Sequence, residues 1–168
     1  MNRGRIAATA KQVLRGELGL VTVPGHCLQA VRVIVEKAAG VPPRTLYSLA
    51  KPHLHPQPGE EIPLFWARGI ERALRNLGIG RHYPRPGDLV FSHKVSKPYG
   101  HVAVVVDEGL LLENTQAKRG WKSSWSGAVR LTPYIRNGEW IWDPLTFVAD
   151  GDRLGLLLIQ EAARPRRV

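Results

Sequence analysis

The stretch Gly100-His101-Val102-Ala103-Val104-Val105-Val106-Asp107-Glu108-Gly109-Leu110-Leu111-Leu112-Glu113-Asn114 decides how the rest of the chain is read. A β-branched run, a turn-forming Asp-Glu-Gly and a second apolar run make a β-hairpin. With Asp107-Glu108-Gly109 as a three-residue loop, Val106 faces Leu110. Glu113 then points to the same face as His101, because side chains alternate along a strand. A register shifted by one residue puts Asn114 there instead. Just upstream, Pro86-Gly87-Asp88 is a turn that leads into a further strand, Leu89-Val90-Phe91.

Before these strands the periodicity is helical. Ile6, Val13, Leu14 and Leu18, with alanines between, predict a helix over residues 6–18 that ends near Gly19. Cys27, Val31, Ile34 and Ala38 form one helical stripe over residues 27–39, closed by Gly40. Residues 41–63 hold six prolines (Pro42, Pro43, Pro52, Pro56, Pro58 and Pro63) and predict a long surface loop, a candidate groove wall. Leu64 to Leu77 reads as a third helix, stopped by Gly78. Further strands are expected at Trp140 to Trp142 and at Leu154 to Ile159, with residues 162–168 a frayed basic tail. Helices first and an antiparallel sheet afterwards make an α+β domain spanning residues 1–168.

The chemistry-bearing residues lie on these elements. A thiol attacks as thiolate, and a helix N-terminus favours that form. Cys27 stands at such a start, after Pro24-Gly25-His26, where backbone amides are also available as an oxyanion hole. As part of an apolar stripe it is equally suited to a plain core position. His101 opens a strand, a place from which a base can lean over a helix tip, and a cysteine nucleophile needs a base within hydrogen-bond reach. Glu113 or Asn114 is placed to orient the imidazole, and the hairpin register favours Glu113. Tyr99 beside His101, Trp121, Trp125 and His26 are the candidate substrate-binding residues. Trp140 and Trp142 share a sheet face, where aromatics serve as core or as groove lining. His53-Leu54-His55 sets two imidazoles two residues apart, but it lies in the Pro-rich segment with no patterned third ligand. No metal or cofactor is expected.

In order, Gly25-His26-Cys27, Pro86-Gly87-Asp88-Leu89-Val90-Phe91, Gly100-His101-Val102-Ala103-Val104-Val105 and Leu112-Glu113-Asn114-Thr115 resemble the CHAP and NlpC-type superfamily of cysteine peptidases and amidases. The resemblance covers roughly residues 22–115. It implies a papain-like fold and cleavage of amide bonds in bacterial peptidoglycan, with the nucleophile carried to Cys27 and the base to His101. NlpC-type members use a second histidine as third residue. This chain has none on that strand, which sets it nearer the CHAP pattern, with an acid or asparagine at Glu113 or Asn114. It departs from the pattern in following Cys27 with Leu28-Gln29-Ala30. It also carries Val21 where papain-like enzymes place an oxyanion glutamine.

Composition bounds the remaining classes. The chain has 168 residues, 43% hydrophobic, which suits one domain with a real core. A single cysteine excludes an internal disulfide. No apolar run reaches the roughly 18 residues of a membrane span, and no apolar segment follows the early arginines as a signal peptide requires. Cytoplasmic synthesis and a phage-type release to the wall are therefore expected, as for an endolysin or a virion-associated lysin, acting as a monomer. The net charge of +10, from 24 basic and 14 acidic side chains, favours polyanionic partners such as an acidic cell wall. The competing readings are a basic nucleic-acid-binding protein and a non-catalytic papain-like scaffold. No nucleic-acid motif is visible, and the nucleic-acid reading leaves Cys27, His101 and the Glu113-Asn114 strand unexplained.

Overall fold

The computed structural model describes residues 2–18, 27–93, 99–114 and 129–165. Strands β1 (Leu89–Ser92), β2 (His101–Asp107) and β3 (Leu110–Asn114) form its centre. Asp107 pairs with Leu110, which leaves Glu108-Gly109 as the turn, and an irregularity between Val105 and Asp107 takes up the extra residue. Beyond this bulge Val104 faces Leu112 and Val105 faces Leu111, the register that the three-residue loop also requires. β4 (Val129–Pro133) and β7 (Leu145–Ala149) complete an antiparallel sheet ordered β4-β3-β2-β1-β7. A separate ribbon joins β5 (Ile135–Arg136) to β6 (Glu139–Trp140) through Asn137-Gly138, both at positive φ. That turn chemistry matches the twist of a two-residue hairpin.

Period two divides the sheet into two faces. Phe91, Val102, Val104, Val106 and Leu112 join the large core beneath the helices, whereas Val90, Ala103, Val105 and Leu111 meet Tyr134, Trp140 and Trp142 on the other side. The two tryptophans share this smaller core, with ring centroids 6.3 Å apart. The helical layer consists of α1 (Asn2–Leu14), α2 (Cys27–Ala39), α3 (Thr45–Ala50), α4 (Ala67–Asn76) and α5 (Gly151–Ala162). The molecule is thus α+β, with helices packed on an antiparallel sheet. Among the described residues no helix is long and apolar enough to cross a membrane.

Several sequence expectations are corrected. Leu154 to Ile159 is not a strand but the middle of α5. Asp150 caps this helix, accepting from the amides of Asp152 and Arg153, and Leu154 and Leu158 bury one stripe. An unbroken apolar run has no period of its own, so the cap and the packing decide. Residues 41–63 are not all loop: α3 and a 3-10 turn (Lys51–His53) lie inside them. The prolines flank α3, whose Leu46, Leu49 and Ala50 enter the core at i, i+3 and i+4 spacing. The first helix starts at Asn2, where Asp152 accepts from the Arg3 amide at 2.8 Å. It stops before Gly16, which is at φ 74. Leu64, Phe65 and Trp66 stay outside α4. The strand expected at Trp140 to Trp142 ends at Trp140, and β4 and β7 were not expected at all. Ala162 is still helical, so the tail is shorter than expected, and residues 166–168 lie outside the described residues.

Candidate active site

Asp88 assembles the scaffold under the site. It is fully buried, accepts from the Arg85 amide at 2.8 Å and, with its other oxygen, from the Gly151 amide at 2.8 Å. Burial outweighs these bonds and raises its carboxyl above the ordinary value. The turn before β1 is thereby tied to the start of α5. At the other end of the sheet, Gly100 lies at φ +77, and a Cβ there would stand 3.0 Å from the Arg68 amide. Only glycine fits this close approach. The Tyr99 carbonyl accepts from that amide at 3.0 Å, which joins the start of β2 to the start of α4.

His101 is the first residue of β2 and is buried. Its Nε2 stands 2.8 Å from Glu113 Oε1. That contact leaves Nδ1 for the thiol of Cys27, which lies within hydrogen-bond reach of the imidazole. Cys27 is the first residue of α2 and is half-buried. Burial alone would lower the imidazole's pKa, but hydrogen bonds and charge from Cys27 and Glu113 outweigh it and raise the value to about 9. Burial alone would likewise raise the Glu113 carboxyl. The His101 hydrogen bond, with the charges of His101 and of Arg130 at 3.8 Å, brings it below its ordinary value.

Glu113 and Asn114 separate onto opposite faces of β3. Glu113 faces His101, while Asn114 is buried at the strand end, opposite Val129. Tyr99 is 54% exposed and packs edge-on against Trp66, with ring centroids 4.8 Å apart. His26, Trp121 and Trp125 lie outside the described residues. His53 and His55 have ring centroids 6.2 Å apart. Among the described residues no group of three or more His, Cys, Asp or Glu side chains is placed to hold a metal ion.

Of the two readings open for Trp142, core or groove lining, the structure gives core: its ring stands 5.7 Å from His101 and covers it from the smaller core. The structure also brings in residues that sequence reasoning missed. Cys27 opens onto a groove of about 570 Å³, walled by Arg32, Arg44, Tyr47, Phe65, Trp66 and Tyr99 among others. The Pro-rich segment does supply a wall, through Arg44 and Tyr47. Its proline content marked the segment, but nothing local marked those two side chains.

A thiol, a cationic imidazole and a carboxylate in one row can move a proton between sulfur and ring while the ring's orientation stays fixed. Comparison with family models, with curated proteins and with solved structures finds no match to this chain.

Proposed function

We propose that this protein is a papain-like cysteine hydrolase of amide bonds, acting on the peptide or sugar-peptide linkages of bacterial peptidoglycan. The observation that carries the reading is the buried His101, bonded at 2.8 Å to Glu113 and facing a thiol at a helix start. The charged ring is a counter-ion for a thiolate, and amides of the first turn of α2, which lack partners within the helix, are donors for an oxyanion. Cys27 Sγ attacks the carbonyl carbon. His101 protonates the leaving nitrogen as the C–N bond breaks. Water, losing its proton to His101, then hydrolyses the thioester. Glu113 holds the ring in position and stabilises its positive form. The peptidoglycan assignment is supported by the sequence resemblance and by the +10 charge, which suits an acidic wall.

Digestion of purified peptidoglycan, followed by mass spectrometry of the new amino and reducing ends, tests both parts. Cys27→Ala and Cys27→Ser are each expected to lose at least roughly a thousandfold in rate while remaining folded, because a hydroxyl ionises far less readily than a thiol. Activity retained in Cys27→Ala would sink the cysteine mechanism.

A further inference from the structure

The groove beside Cys27 carries a charge that amide hydrolysis does not by itself need. Arg32 of α2 and Arg44 at the start of α3 line it, and among the described residues no Asp or Glu does. Arg32 Nη1 is ion-paired with Glu36 Oε1 at 2.6 Å, and the other Glu36 oxygen accepts from the Leu46 amide at 3.0 Å, which fixes this guanidinium in place. Arg32 Nε is buried and, among the described residues, has no hydrogen-bond partner. The ion pairs among the described residues do not include Arg44. The undescribed stretches 19–26, 94–98 and 115–128 contain no acidic residue to neutralise it.

Arg44 is exposed, and two features mark these positions. Arg44 has φ 73, a left-handed backbone that disfavours every side chain and suits glycine best. Observed strain of this kind points towards a functional position. Both guanidinium groups also lie against the Tyr47 ring, at 5.3 Å and 5.6 Å from its centroid, and this cation–π contact restrains them at the groove.

We propose that Arg32 and Arg44 form a carboxylate-binding subsite that selects substrates with a free carboxylate near the scissile amide. The proposal rests on Cys27 being the nucleophile. Cys27 and Arg32 lie on the same helix and, with Arg44, line one groove, so a substrate whose scissile amide meets Cys27 can set a neighbouring carboxylate on the guanidinium groups. Guanidinium groups suit it because their fork of donors matches a carboxylate.

The sole cysteine makes a small-probe test clean. Rates of alkylation by iodoacetate and iodoacetamide are measured by intact mass for the wild type, Arg44→Gly, Arg44→Lys and free glutathione. Glycine suits the backbone at position 44, so the first variant keeps the fold, which circular dichroism checks. The wild-type iodoacetate-to-iodoacetamide ratio is expected to exceed that of glutathione. It should fall about fivefold in Arg44→Gly and recover only in part in Arg44→Lys, which restores the charge but not the fork of donors. The charge on His101 is common to all three proteins and cancels between them. An unchanged ratio in Arg44→Gly overturns the subsite while leaving the nucleophile in place. Failure of both reagents to modify Cys27 in the folded protein overturns the nucleophile, and the subsite with it.

Discussion

Glu113 and Asn114 are neighbours in the chain, yet they act on different sides of the sheet. The 2.8 Å contact from Glu113 to His101 makes a sharp kinetic expectation. The carboxylate helps hold the imidazole's pKa at about 9, so activity that needs the imidazolium falls as pH rises through that value. Glu113→Gln removes one of the raising influences. Its alkaline limb should move to lower pH, while Asn114→Ala leaves the limb where it is. Measured pH–rate profiles in which Asn114→Ala moves the limb and Glu113→Gln does not would assign the orienting role to the wrong residue. The same pair makes stability depend on pH. His101, raised above its ordinary 6.5, contributes fully below 6.5 and loses that contribution as pH rises through about 9. Glu113, lowered from 4.5, contributes above 4.5 and loses it as pH falls through its depressed value. The difference in melting temperature between wild type and Glu113→Gln should therefore be largest between about pH 4.5 and about pH 6.5 and shrink on both sides. A constant difference from acid to alkali would remove the pair from the stability of the fold.

At the scale of elements, α5 shows how far a local reading reaches. Its apolar run is compatible with strand or helix, and the choice rests on two acids. Asp150 caps the helix, and Asp88 receives the Gly151 amide from across the fold. Asp150→Ala should cost about 1 kcal/mol, the usual loss of a cap. Asp88→Ala should cost more, about 2–3 kcal/mol, because it strands the buried Gly151 amide and the half-buried Arg85 amide without acceptors. Urea midpoints at constant m-value read this difference. A smaller loss for Asp88→Ala than for Asp150→Ala would mean that water replaces the buried carboxylate. Pro86-Gly87-Asp88 thus owes its place in the sequence to holding β1 and α5 together. Gly87 supports this. It lies at φ +90, and a Cβ there would collide with the Arg3 carbonyl of α1.

For the molecule as a whole, charge is the property that sequence reports best and structure refines. The net +10 predicts that Cys27→Ala protein binds purified cell walls strongly at roughly 0.05 M salt and much more weakly at roughly 0.5 M, as screening shortens from more than 10 Å to a few Å. Sedimentation with the walls measures it, and a flat response would leave the holding to the exposed aromatics of the groove. The sequence by itself determined the α+β class, the extent of α2, the central hairpin and the pairing of Cys27 with His101 as candidates. Each of these is written in local period, in turn chemistry or in residue type. It favoured Glu113 over Asn114 as the orienting residue and marked the Pro-rich segment as a candidate wall. Only the tertiary structure showed Glu113 meeting His101 at 2.8 Å, in a register that a bulge at Val106 restores after a two-residue turn. It alone turned residues 151–162 into a helix and brought both Arg32 and Arg44 to the Tyr47 ring. The reason is common to all three. Periodicity says which face of an element is buried, whereas which residues meet across layers is set by packing between segments far apart in the chain.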